Sequence, residues 1–112
     1  MIKITIYENM RHEIMGFDAS GHAGYADAGS DIVCSAASVL MINTINSIDQ
    51  LTNQRFTLDV NDNDDSNLIA FRFEGNVEHD AVLLINSMIL GLQDMEENEE
   101  YKPYIDIIFE EV

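Results

Sequence analysis

Positive charge is scarce in this chain: five Lys and Arg stand against 21 Asp and Glu among 112 residues, a formal net charge of -16. Binding to phosphate backbones relies on clustered cations that displace counterions. Lys3, Arg11, Arg55, Arg72 and Lys102 are scattered singly, so a nucleic-acid partner is excluded. Cysteine is nearly absent too. The single Cys34 can close no internal disulfide and can build no cysteine-based metal site alone. His12 and His79 have no partner at metal-ligand spacing, so neither a metal nor a cofactor is expected. Long hydrophobic runs are also lacking. Residues 1–7 alternate apolar and polar side chains and have no signal-peptide core, and no later stretch reads as long enough to span a bilayer. The expectation is a cytoplasmic protein with no membrane partner.

What is present suits a globular fold. Hydrophobic residues make up 46% of the chain in short clusters, and the length fits a single domain over residues 1–112. Ile2, Ile4 and Ile6 alternate with polar neighbours as a half-buried strand does, residues 8–11 form a turn, and a second strand runs from about His12 to Ser20. Residues 21–31, rich in Gly and Ala, read as a mobile loop. A helix follows, capped by Ser30 or Asp31 and running from Ile32 to about Leu51. Phe56, Leu58 and Val60, then Leu68 to Phe73, form a hairpin around residues 61–65. A second helix spans about Val77 to Asp94, with Ala81, Leu84, Ile85, Met88 and Leu92 on its apolar face. Glu96, Glu97, Glu99 and Glu100 read as a solvated acidic turn before Pro103, and residues 104–109 supply the last strand. The order ββαββαβ predicts an α+β fold: a mixed, largely antiparallel sheet packed with two helices.

The chemistry concentrates in residues 21–38. A thiol in the first turn of a helix feels the positive end of the backbone dipole, which favours thiolate. On the expected boundaries Cys34 sits there, and its own N–H is a candidate donor to an oxyanion. His22 follows a strand, and the intervening loop is long enough to fold the imidazole back onto the sulfur as general base and acid. Each residue also has a plainer reading. Cys34 can be a small buried hydrophobe, His22 a surface or hydrogen-bonded structural residue, Asp31 a helix cap rather than an orienter of the imidazole, and Ser38, one turn beyond Cys34, a packing residue rather than a hydroxyl donor. Asp59 to Asp64 begins like a calcium loop, but Asp64 and Ala70 stand where Gly and Glu are required, so the stretch reads as a hairpin turn. Met15, Met41 and Met88 read as core or interface filling, or as the lining of a groove for an aromatic side chain.

The segments Gly21-His22-Ala23-Gly24-Tyr25-Ala26 and Gly29-Ser30-Asp31-Ile32-Val33-Cys34-Ser35-Ala36, with the spacing between them, resemble the signature of the ribosomal-processing cysteine protease family Prp. The element order and length are similar to that family as well. The resemblance implies a homodimeric thiol protease that clips the N-terminal extension of the large-subunit ribosomal protein number twenty-seven after an aromatic residue, before ribosome assembly. It implies His22 and Cys34 as the catalytic pair, Asp31 and Ser38 as supporting positions, and a loop over the cleft with Gly24 and Gly29 as hinges. The acidity of the chain suits attraction to a basic protein at low salt, or serves solubility alone. Two other readings compete: a noncatalytic acidic escort for a basic ribosomal protein, and a thiol redox sensor acting through Cys34.

Overall fold

Two sequence periods, one of strands and one of helices, resolve into the expected order. The computed structural model describes residues 1–21, 28–63 and 66–112, with backbone alone at 28–31, 62–63 and 66–67. The strands are β1 (Ile2–Glu8), β2 (Ile14–Gly21), β3 (Phe56–Asn63), β4 (Ser66–Phe73) and β5 (Ile105–Glu111); the helices are α1 (Ala28–Leu51) and α2 (His79–Glu97). A short 3-10 turn, Lys102–Tyr104, carries Pro103 at its start, where a missing N–H costs nothing. The sheet runs β3-β4-β2-β1-β5. Its pairs β1–β2, β2–β4 and β3–β4 are antiparallel, and β5 joins β1 in parallel. The fold is therefore α+β with a mixed, largely antiparallel sheet, as expected.

Cross-strand partners share a face, so the register defines rows of side chains across the sheet. One row is Val60, Ile69, Ala19, Ile4 and Ile107; the next is Leu58, Phe71, Phe17, Ile6 and Phe109. Burial is complete at the middle and fades at both edges: Ile4, Ile6, Phe17 and Phe71 are fully buried, whereas Val60, Leu58 and Phe109 are exposed. The two helices cover the middle of this face. From α1 come Val33, Ala37, Met41, Ile45 and Ile48, and from α2 Ala81, Ile85, Met88, Ile89 and Leu92. The helices touch where Leu40 packs over Gly91; a Cβ on Gly91 would lie 3.3 Å from the Leu40 side chain. Each fully buried Leu, Ile, Phe or Met contributes roughly 1.5–3 kcal/mol of apolar burial.

On the opposite face, Tyr7, Gly16 and Arg72 stand in one row. Gly16 has no side chain to obstruct, and a Cβ there would collide with the Phe71 carbonyl oxygen and lie 2.9 Å from the Arg72 Cδ. Arg72 therefore lies flat across β2. Its guanidinium sits 4.2 Å from the Tyr7 ring centroid and donates to Asp18 at 2.8 Å, while the Tyr7 hydroxyl donates to the other Asp18 oxygen at 2.8 Å.

Several expected boundaries move. The first helix starts at Ala28 rather than Ile32. Neither Ser30 nor Asp31 precedes it as a cap, and Gly29, expected as a hinge of the mobile loop, belongs to its first turn. Ala28 is a strong helix former, and first-turn N–H groups need no intrahelical partner, so weak formers are tolerated there. The second strand begins at Ile14 because the Asn9 side-chain oxygen accepts from the N–H groups of Arg11 and Glu13, holding a turn in which His12 has φ 62°. Both hairpin strands run further than expected, to Asn63 and from Ser66. The second helix begins at His79 and extends through Glu97, so Glu96 and Glu97 complete it rather than forming a turn. Glu96 accepts the Ile107 N–H at 2.9 Å, occupying a backbone donor of the edge strand. The last strand starts at Ile105 and continues to Glu111, held by parallel pairing as far as Glu8.

By length and composition the Ile32–Leu51 stretch of α1 is apolar enough to cross a membrane, which corrects the expectation that no such stretch exists. Its polar residues up to Ser47 are uncharged, so they pass that test. One side of it is spent on the sheet, as Val33, Ala37, Met41 and Ile48 show.

Candidate active site

The only thiol of the chain is carried by α1 and half-buried against the sheet. Cys34, Ser38 and Met41 project from successive turns of one flank of the helix, as the 3.6-residue repeat requires. Together with Ile2, Ala19, Ser20, Gly21 and Ile69 they line a narrow cleft of about 40 Å³. The sheet supplies its floor: Ile2 and Gly21 are cross-strand partners at one end of β1 and β2, and Ile69 pairs with Ala19. A Cβ on Gly21 would lie 3.0 Å from the Ile2 Cα, so a side chain there would need the two strands to give by a few tenths of an ångström. The cleft is mostly apolar, and Cys34, Ser20 and Ser38 are the polar side chains of its lining.

The structure brings Cys34 and Ser38 together. His22, Gly24 and the remainder of 22–27 lie outside the described residues, and Asp31 is described by its backbone alone. Cys34 falls in the second turn of α1, not the first. Its N–H lies beyond the four free donors of the helix start, and the dipole has faded at that depth, so the expected reasons for thiolate and oxyanion stabilisation at a helix terminus do not apply to it.

The sequence did not mark Ile2, Gly21 or Ile69 as cleft residues. Gly21 stands in the motif next to His22, so its signal was available; Ile2 and Ile69 carry only the period of a strand. Met41 and Met88 are core residues. His12 and His79 are exposed, with side-chain accessibilities of 84% and 89%. No group of three or more metal-ligating side chains occurs among the described residues.

Two of the described titratable groups, Asp18 and Tyr7, have displaced pKa values and lie on the other face of the sheet. Partial burial pushes the Asp18 carboxyl up, but the hydrogen bonds from Arg72 and Tyr7 and the Arg72 charge outweigh it and hold Asp18 below its ordinary value. The Tyr7 hydroxyl is raised, first by its hydrogen bond to Asp18 and then by desolvation.

Comparison with known proteins gives the class of the chain that carries this cleft. The family model described as Cysteine protease Prp matches residues 1–106. The Ribosomal processing cysteine protease Prp of Staphylococcus aureus is 31% identical over 105 residues, covering 94% of this chain and 95% of the relative. The protein of the same name from Bacillus subtilis is 29% identical over 106 residues, covering 91% of each. The crystal structure of the S. aureus protease with a covalently linked product peptide superposes with a TM-score of 0.81 at 30% identity, covering 98% of this chain and 100% of that one. The molecule is a cysteine protease. Over nearly its whole length the chain belongs to the Prp family.

Proposed function

We propose that this protein removes the N-terminal extension of the large-subunit ribosomal protein number twenty-seven before ribosome assembly, acting in the cytoplasm as a homodimer. The observation that carries the reading is the half-buried Cys34 in the lining of a mostly apolar cleft, in a chain whose relatives are named as ribosomal processing proteases. The S. aureus relative holds a product peptide in covalent linkage, as an acyl-forming nucleophile would.

In this mechanism His22 takes the proton from Cys34, and the thiolate attacks the scissile carbonyl carbon. The carbon–nitrogen bond breaks as His22 returns the proton to the leaving amine. A thioester remains. Water, deprotonated by His22, attacks that thioester, and the new carboxyl terminus and the thiol are released. Gly21, to which His22 is joined, lines the Cys34 cleft, which supports this pairing. Asp31 and Ser38 are supporting positions, and Ser38 lines the cleft beside the sulfur.

The net charge of -16 favours a second reading, an acidic escort that holds a basic ribosomal protein without cutting it. The purified protein and its Cys34→Ala variant are each mixed with a peptide spanning the extension junction, and the products are read by mass spectrometry. One cut, lost in the variant, supports the protease reading. Tight binding with no cut by either protein supports the escort.

A further inference from the structure

The same flank of α1 that carries Cys34 and Ser38 continues to Ile42, one turn further on and 51% exposed. The other flank is occupied: Leu40 packs over Gly91 of α2. Across from the open flank lies the helix-side face of β4 and β3. There Val60, partner of Ile69, and Leu58, partner of Phe71, point to the core side of the sheet yet remain 59% and 43% exposed. The cleft lined by Ser38 and Ile69 is thus continued by exposed apolar side chains, Ile42 on the helix and Val60 and Leu58 on the sheet, and we read this strip as an apolar trough leading away from Cys34. From Ile32 to Ser47 helix α1 carries no charged side chain, although the chain as a whole has 21 acids.

We propose that this trough is the channel that receives the substrate peptide on one side of the scissile bond, and that Ile42, Leu58 and Val60 select large apolar side chains there. The inference rests on the protease reading and adds residues outside the His22 and Cys34 motifs. Three observations choose the occupant. The trough is continuous with the cleft of the nucleophile, so a chain whose carbonyl reaches Cys34 has to leave along a neighbouring surface. Leu58 and Val60 are two residues apart on a strand, about 6.6 Å, the spacing at which an extended peptide presents alternate side chains. The surrounding charge is acidic, with Asp49 at i+7 from Ile42 on the same flank, so cationic residues beyond the apolar ones are attracted rather than repelled.

The test uses the Cys34→Ala protein and a fluorescein-labelled peptide spanning the extension junction of the large-subunit ribosomal protein number twenty-seven, with binding read by anisotropy. Ile42→Asp, Leu58→Asp and Val60→Asp each place a charge in the trough, and binding is expected to weaken about tenfold or more. Leu90→Asp, equally exposed on α2, is the control and should bind as the parent does. In the protein with Cys34 intact, the trough variants should raise KM while the alkylation rate of Cys34 by iodoacetamide holds. Trough variants that all bind as the parent does overturn the channel, as does a parent that fails to bind the peptide. So does a trough substitution that splits a dimer in sedimentation and leaves peptide binding intact, because the occupant is then a second copy. A wild-type protein that never cuts, but whose binding is weakened by Val60→Asp, removes the protease reading and leaves the channel standing.

Discussion

Gly21 and Ile2 meet so closely that a Cβ on Gly21 would sit 3.0 Å from the Ile2 Cα and 3.1 Å from its Cβ. The contact closes the end of the β1–β2 ladder, beside the Cys34 cleft and one residue before His22. Gly21→Ala is expected to lose about 1–3 kcal/mol of stability as the strands part. Proteolytic kcat/KM should fall by less than about a hundredfold, the cost of an ångström's misplacement, because the Cβ asks for a shift of only a few tenths of an ångström beside the cleft. Urea titration and peptide cleavage read the two effects, and an alanine variant that cleaves as wild type does would show that the contact matters only to the fold.

Ser38 shares the cleft with Cys34, and the cleft is small. Ser38→Ala removes the hydroxyl and widens the cleft; Ser38→Val fills it. If Ser38 acts mainly by shaping the space, kcat/KM falls by less than about tenfold for Ala and by about a hundredfold for Val. The reverse order would make the hydroxyl the important group.

Gln54 is a buried clip between three elements. Its amide nitrogen donates to the carbonyls of Arg55 at 2.9 Å and Glu74 at 3.2 Å, and its side-chain oxygen accepts the Glu78 N–H at 2.6 Å, next to the start of α2. Gln54→Ala takes this partner from the Glu74 carbonyl and the Glu78 N–H, while the Arg55 carbonyl keeps the Glu74 N–H at 3.0 Å, and should cost about 1–3 kcal/mol in urea denaturation. Gln54→Glu, which keeps the acceptor and loses the donors, should also destabilise. A loss within experimental error for both would mean that water replaces the clip.

Asp18 titrates below its ordinary value of 3.8 when folded. Between the folded and unfolded pKa values the unfolded chain binds more protons, so this stabilisation is complete above about pH 4 and is lost as the pH falls through the folded value. Asp18→Asn should flatten that part of the acid denaturation curve, and Tyr7→Phe, which removes one of the hydrogen bonds, should flatten it partly. Tyr7 has the opposite sign. Its raised pKa gives stability that is present below pH 10 and lost as the pH rises through the folded value. Thermal melts at stepped pH measure both limbs, and superimposable curves for wild type and Asp18→Asn would remove the role given to the Arg72 and Tyr7 contacts.

The alternation of Ile2, Ile4 and Ile6, the apolar repeat of α2 and the spacing of the two motif segments were sufficient, without coordinates, to predict the order of elements, the fold class and the candidate pair His22 and Cys34. Those signals are local: a strand shows its period within a few residues and a helix within a few turns. The start of α1 was harder to place because its first turn holds weak helix formers, and propensity says little where N–H groups have no intrahelical partner. Glu96 read as solvated because nothing near it in the chain reveals Ile107 across the fold.

Only the tertiary structure decided the sheet order β3-β4-β2-β1-β5, the parallel pairing of β5 with β1, and the bare helix-side face of β3 beside the cleft. These depend on which apolar faces meet between residues far apart in sequence. Periodicity states that a face is apolar and leaves open which partner buries it. Leu58, Val60 and Ile4 carry the same strand signal, and only their places in the sheet make one of them core and the other two a surface.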